Sequence, residues 1–509
     1  MSELFDLAII GGGINGCGVA RDAAGRGLKV YLCEKGDLGG ATSSASTKLL
    51  HGGLRYLEHY EFRLVREALE ERERLWSIAP HIVRPLRFVL PQTPGMRPAW
   101  MLRTGLFLYD HLGKRTRLPG TSRVDFHRSE IGSGLRPSIR RGFEYSDCWV
   151  EDNRLVILNA QSAKGHGAVI EPHTVCIALG SDAEGWTVRV RDRDTGAVRE
   201  IRARVLVNAG GPWANELAGM ATGGAAKARV RLVQGSHIVV PQLYTHDRCF
   251  IFQNPDGRIV FTIPYEQDYT LIGTTDRDYD GSLDRIEASQ EEITYLCRAV
   301  SAYFVRPVTP AQVVWSYSGV RPLHDSGDGA AQAATRDYVL DVRTDGPAPL
   351  LTIYGGKITT YRRLAEAVLA RLESLLPGDR AREIAAGAGW SGREALPGGG
   401  FPIEEFGPRL AALREAYPWL GERRALRMFR QYGTRLPELL DGARAPADLG
   451  TDFGAGLTEA EVDYLVREEW ARSAADIVYR RSKLGLRMTA SQIESLDRHL
   501  AGLRPSKAG

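Results

Sequence analysis

The sequence lacks any apolar run near the ~18 residues that a membrane-spanning helix needs. It also has little cysteine. Cys17, Cys33, Cys148, Cys176, Cys249 and Cys297 are the only six in 509 residues, and no two form a CxxC pair. That pattern argues against structural zinc, thioredoxin-like redox chemistry and a secreted disulfide framework, and it suits a reducing compartment. Charge of one sign is missing too. Lys and Arg number 66 against 62 Asp and Glu, a formal net charge of +4, too small for a nucleic-acid footprint. No aromatic RNA-binding motif, internal repeat, long low-complexity tract or metal-ligand constellation is found. The N-terminus, MSELFDLAIIGGG, has no basic n-region and no cleavage site, so it reads as a first strand rather than a signal peptide. What remains is 43% hydrophobic and 25% charged, the balance of an ordinary globular protein with two to four domains.

What is present begins at once. Phe5 to Ile10 is an apolar run ending in glycine, as a buried parallel strand does. Gly11, Gly13 and Gly16 then spell GxGxxG, with Asn15 inside the motif. The first glycine permits a tight turn, the second lets backbone approach a pyrophosphate, and the third lets the next helix pack on the strand. That helix N-terminus offers N–H groups to phosphate. Leu28 to Cys33 is a second strand, and Glu34 ends it where a ribose hydroxyl would be bound. A free acid there fits a ribose diol better than a 2′-phosphate, so NADP is disfavoured. The competing reading is a glycine-rich structural turn.

Two later stretches repeat the strand–glycine signal. Residues 204–214, RVLVNAGGPWA, place Gly210 after an apolar strand, and Leu350 to Arg362, LLTIYGGKITTYR, place Gly356 and Lys357 before a helix start. A helix N-terminus at the latter could face a flavin and stabilise negative charge on its reduced form. No second GxGxxG follows a strand, so a separate NAD(P)H domain is not expected. Paired with the first unit, residues 204–214 resemble the second signature of flavoproteins related to D-amino-acid oxidase, and FAD is the expected cofactor.

With those pieces in hand, the chain resembles the FAD-dependent, respiratory-type glycerol-3-phosphate dehydrogenases over nearly its whole length. The motifs that carry this are GGGINGCG, ATSSASTKLLHGGLRYLE, RPAWMLRTGLFLYDHLG, RGFEYSDCWV, LVNAGGPWA, GSHIVV, IGTTD, YSGVRPL, TRDY and YGGKITTYR. The resemblance implies that Thr42, Ser43, Ser44, Ser46, Thr47, Lys48, Gly52 and Gly53 run along the flavin, and that Arg55 and Tyr56 reach a substrate phosphate. Small hydroxyl residues, close-approaching glycines and an arginine fork suit those tasks. It implies oxidation of the C2 alcohol of sn-glycerol 3-phosphate to dihydroxyacetone phosphate, with hydride passing to flavin N5 and electrons onward to a membrane quinone.

Four cations stand at motif positions: Arg55, Arg321, Arg336 and Lys357. Converging on one pocket, they would suit a dianionic phosphate; singly, each is as well read as a surface ion pair. His237 in GSHIVV is the candidate base, with Arg321 beside it as the second catalytic candidate. The competing reading is a buried histidine satisfied by backbone, and His51 and His324 are rivals. Thr274, in GTTD, is a candidate to order the substrate loop.

The expected fold is α/β: a Rossmann-like FAD-binding domain in three pieces (1–90, 150–215, 346–375), a β-rich substrate domain (216–345) and a C-terminal helical domain (376–509), with 91–145 an insertion and 377–402 a linker. Thr458 to Glu461 reads as a capping box, and the helical domain as a cap or a dimerisation unit, giving a homodimer. Without a spanning segment, a quinone-coupled enzyme must lie on the bilayer, on the inner face of the cell membrane in the cytoplasm. Arg97 to Leu118 and the amphipathic helix near 62–78 are the candidate surfaces. The rivals are an oxidase that uses oxygen, an amine or amino-acid oxidase on the same scaffold, and a non-catalytic flavin-binding protein.

Overall fold

A computed structural model describes residues 3–93, 96–113, 117–224, 230–324 and 337–503. Strand β1 (Leu4–Ile10), helix α1 (Ile14–Gly25) and strand β2 (Val30–Cys33) form the opening unit. β1 is central because it is apolar on both faces, with Leu7, Ala8 and Ile9 fully buried. It pairs in parallel with β2 on one side and with Val198–Asn208 on the other. Leu350–Tyr354 and Val169–Glu171 extend the parallel core, and an antiparallel hairpin, Thr174–Asp182 with Gly185–Asp192, joins Val198–Asn208. All three strand–glycine signals thus end side by side in one eight-stranded sheet.

A ten-stranded sheet stands beside it, with Val230–Pro241 hydrogen-bonded to Tyr269–Gly273 and Trp315–His324. It draws on more chain than 216–345. Leu49–Leu50, Val83–Pro91, Ser122–Asp125 and Arg141–Val150 are also members, so Ser122–Asp125 and the first half of Arg141–Val150, both within the expected insertion, are sheet. Arg141–Val150 pairs with Val83–Pro91 along nine residues and is buried from Gly142 onward, which explains its place inside a sheet.

The C-terminal part is helical with its own core, including Met428, Leu436, Val462, Leu465 and Ile477. Two expectations here are corrected. Residues 377–402 are not a plain linker, because Gly378–Ala386 is a helix and Trp390 packs against Gly25 of α1. Thr458 caps the helix Glu459–Glu469 without a side-chain hydrogen bond. Its would-be box partner Glu461 is buried and accepts from Arg427 and Tyr432 instead. A buried carboxylate is stabilised more by a guanidinium than by one exposed backbone N–H.

Candidate active site

A cavity of about 1070 Å³ runs from the β1–α1 turn to the strands of the second sheet. At one end Gly11, at φ +115°, holds the turn in a conformation that side chains rarely adopt. A Cβ on Gly16 would lie 1.9 Å from the Gly11 carbonyl oxygen, so Gly16 serves the packing of α1 and stays off the cavity wall. Gly13, Asn15 and Glu34 line the wall. Glu34 accepts from the N–H groups of Gly12 at 2.7 Å and Gly36 at 2.9 Å. Burial raises its pKa, and those two hydrogen bonds oppose the rise. The N–H of Ile14 in α1 is already taken by Ser43 Oγ at 3.0 Å.

The loop after β2 divides. Thr42, Ser43, Ser46, Thr47 and Tyr56 line the cavity. Thr42 donates to Val320 O at 2.6 Å and Ser46 to Asp152 at 2.8 Å. Ser44, Lys48, Gly52 and Arg55 are placed off the wall. Lys48 is fully buried, its ammonium 2.8 Å from Asp152 and not free to meet a ligand. Gly52 packs against Leu69 and gives its N–H to Tyr109 Oη at 2.8 Å. Arg55 stands on the turn Leu54–His59, next to Tyr56.

At the far end, His237, Thr274, Arg321 and Lys357 join the lining, while Gly210, beside Gly11, and Gly356, beside Asn15, line it near the β1–α1 turn. His237 and Arg321 come from the neighbouring strands Val230–Pro241 and Trp315–His324. The imidazole Nε2 lies 3.0 Å from Thr47 Oγ1, and Nδ1 is buried with no partner among the described residues. Burial, reinforced by the charges of Lys48 and Arg321, holds the His237 pKa well below its usual value, so the ring is neutral at pH 7. Arg321 pairs with Asp276 and donates to Thr275 O at 3.4 Å. The Lys357 ammonium sits 4.0 Å over the Tyr56 ring. Of the rival histidines, His51 lines the cavity and His324 does not. Arg336 lies outside the described residues.

Two wall residues carried no sequence signal. Asp37 and Arg480 meet at 2.6 Å although they are 443 positions apart, and the helical part thereby supplies a side of the cavity. Asp37 and Asp476 also converge with His173, where Arg480 and Arg481 meet the carboxylate charge.

This arrangement suits FAD. Asn15, on the wall, has a buried Oδ1 with no partner among the described residues, although its Nδ2 donates to Gly355 O at 3.0 Å. The turn at Gly11 and the carboxylate of Glu34 stand at one end, and a neutral histidine with an arginine at the other. Residues 6–362 match the family model described as FAD dependent oxidoreductase, and 393–504 match the C-terminal domain of alpha-glycerophosphate oxidase. The chain therefore belongs to the FAD dependent oxidoreductase family, and its cofactor is FAD. Within that family it stands with the FAD-dependent glycerol-3-phosphate dehydrogenases. It is 49% identical to a glycerol-3-phosphate dehydrogenase of Pseudomonas aeruginosa, across 100% of this chain and 97% of that one. It is also 49% identical to a D-erythritol 1-phosphate dehydrogenase of Brucella abortus, across 96% of each. The solved structure of the glycerol-3-phosphate dehydrogenase from Bacillus halodurans complexed with FAD shares the fold, with a TM-score of 0.74 at 23% identity, covering 98% of this chain and 94% of that one.

Proposed function

We propose that this enzyme oxidises the C2 alcohol of sn-glycerol 3-phosphate to dihydroxyacetone phosphate, and that its electrons pass to a membrane quinone. The observation that carries the reading is the convergence of neutral, buried His237 and of Arg321 on the cavity end opposite Glu34. FAD, when bound, supplies the two-electron acceptor. His237, uncharged at neutral pH and on the cavity wall, is the residue assigned to take the C2 hydroxyl proton as the carbon is oxidised. Thr47, 3.0 Å from Nε2, orients the ring. Arg321 and Lys357 supply positive charge for the phosphate, and Arg321 does so by sharing its guanidinium with Asp276. Thr274, one residue from Thr275, shapes the same wall.

The quinone is supported by surface chemistry. Among the described residues no helix is long and apolar enough to cross a membrane. Yet Tyr60, Phe62, Trp100, Met101, Phe107 and Leu108 are all exposed, on the helix Ala99–Leu112, at the end of the turn Leu54–His59 packed against it and at the start of the helix Phe62–Ile78. Such a patch, flanked by Arg97 and Arg103, suits an anionic bilayer surface.

The Brucella relative, equally similar, favours a second reading in which the substrate is a longer polyol phosphate. Anaerobic titration of the FAD-loaded enzyme separates the two. sn-Glycerol 3-phosphate is expected to bleach the flavin band near ~450 nm, and glycerol to leave it intact. Faster bleaching by D-erythritol 1-phosphate would replace the substrate, and no bleaching by either would end the dehydrogenase reading. Quinone reduction without hydrogen peroxide distinguishes the dehydrogenase from an oxidase.

A further inference from the structure

The helical C-terminal part reaches the back of the site at one point. The helix Glu459–Glu469 ends at Trp470, and the chain then makes a π-helical turn over Asp476–Arg481. Turns of this type are rare and frequent at functional sites. This one lays Tyr479 on Trp315, ring centroids 5.4 Å apart and planes 19° apart. Trp315 lies 5.0 Å from Tyr317, and Tyr317 is stacked on the His237 imidazole at 4.8 Å and 12°. Four rings thus run in series from the helical part to the histidine.

The inner half of the series is set by the sheet. His237 and Tyr317 face each other across neighbouring strands, and a Cβ on Gly273 would lie 2.0 Å from His237 Cδ2. The imidazole is therefore clamped between Gly273 and Tyr317. Tyr317 is held in turn by its hydroxyl, which donates to Ser46 O at 2.9 Å, and by the Lys48 ammonium 5.0 Å over its ring. The outer half joins Trp315 of the second sheet to Tyr479 of the helical part. Tyr269 donates to Leu486 O at 2.8 Å, Arg487 pairs with Asp268 at 2.9 Å, and Arg481 pairs with Asp37. The first two contacts hold the segment that carries Tyr479 against the second sheet, and the third ties it to the loop after β2.

We propose that Tyr479 is a positioning residue through which the C-terminal helical part sets the plane of the His237 imidazole, by way of Trp315 and Tyr317. The proposal rests on the reading of His237 as proton acceptor. A hydrogen bond weakens steeply off its axis, so a tilt of the ring would loosen the 3.0 Å contact with Thr47 and misdirect the acceptor nitrogen. Tyr479 does not line the cavity and touches the chemistry only through the two intervening rings.

The test uses full-length, FAD-loaded Tyr479→Ala, Tyr479→Phe and His237→Gln, with bound FAD per chain measured for each. Tyr479→Ala is expected to slow anaerobic flavin reduction by saturating sn-glycerol 3-phosphate about tenfold. Bound FAD and the half-saturating concentration should hardly change, and Tyr479→Phe, which keeps the ring, should restore the rate. In the His237→Gln background Tyr479→Ala should add less than about twofold, because both changes act on one group. Multiplying effects, or a parent rate in Tyr479→Ala, would overturn the proposal. A crystal structure of Tyr479→Ala is the readout independent of turnover. The imidazole should leave its 12° alignment with Tyr317, and an unmoved ring overturns the proposal whatever the rates. If Tyr479→Ala fails to hold FAD, Tyr479→Leu enters the same cycle and the same crystallographic comparison. A parent rate in His237→Gln refutes the proton-acceptor reading separately, and the crystal structure then decides the positioning claim.

Discussion

Arg321 is the residue at which charge and geometry meet most directly. Its guanidinium reaches the cavity but is already engaged by Asp276 and Thr275. On the proposed function a substrate phosphate competes for these donors, and a planar guanidinium can offer it two parallel N–H groups where an ammonium offers a point charge. We expect Arg321→Met to lower kcat/KM for sn-glycerol 3-phosphate by about 10- to 100-fold, the loss of one charge-assisted hydrogen bond of about 1.5–3 kcal/mol. Residual turnover of glycerol should change far less, because it lacks the group being bound. Equal losses on both substrates would assign Arg321 to the fold or to the flavin. At this scale the reading from residues had a clear limit. GxGxxG and Glu34 are local signals, and they reach the cavity together. Lys48 lies in the same motif-rich loop, yet its ammonium is buried against Asp152, a partner 104 positions away that no local pattern announces.

At the scale of elements, two helices had equal claims to a membrane surface. The helix Phe62–Ile78 buries Val65, Leu69, Leu75 and Trp76, and its Arg72 is locked to Asp147 at 2.6 Å. Its apolar face is core. The helix Ala99–Leu112 instead buries Leu106 and Tyr109 and exposes Trp100 at 66% and Phe107 at 59%. Both helices are amphipathic in sequence and both touch Arg141–Val150, the first through Arg72 and the second through Tyr109; what separates them is how much of the apolar face each buries. On the proposal that the second helix docks on a bilayer, Trp100→Ser with Phe107→Ser should reduce co-sedimentation with anionic liposomes while dye-linked activity is retained. Lost activity with unchanged sedimentation would place these side chains in an internal contact. Tyr109 ties this helix to the loop over the site, donating to Asp147 and accepting from Gly52 N–H. That tie explains why Gly52, expected beside the flavin, faces a tyrosine.

At the scale of the molecule, the helical part is fastened to the dinucleotide-binding part by buried charge. Arg154 pairs with Glu469 and donates to Gln431 O at 2.8 Å, and Arg481 pairs with Asp37. Such pairs add little over a well-packed apolar contact, but breaking one strands a charge in a dry interface. Glu469→Gln is expected to cost about 3–5 kcal/mol, read as a lower midpoint in urea. Arg154→Met combined with Glu469→Leu should recover most of that loss. A single variant as stable as the parent would show that water reaches Arg154.

The sequence by itself determined the opening β–α–β unit, the three strand–glycine turns and the family resemblance. Each is written in neighbouring residues whose backbone demands are local: a glycine for a tight turn, a run of apolar side chains for a buried strand, an acid at the strand end. Only the tertiary structure decided that Lys48 is spent on Asp152, that 141–150 is the middle of a sheet, and that Tyr479 and Arg480 belong to the surroundings of the site. The physical reason is that burial and ion pairing act between groups brought close by folding, and the chain carries no local record of a partner hundreds of residues away.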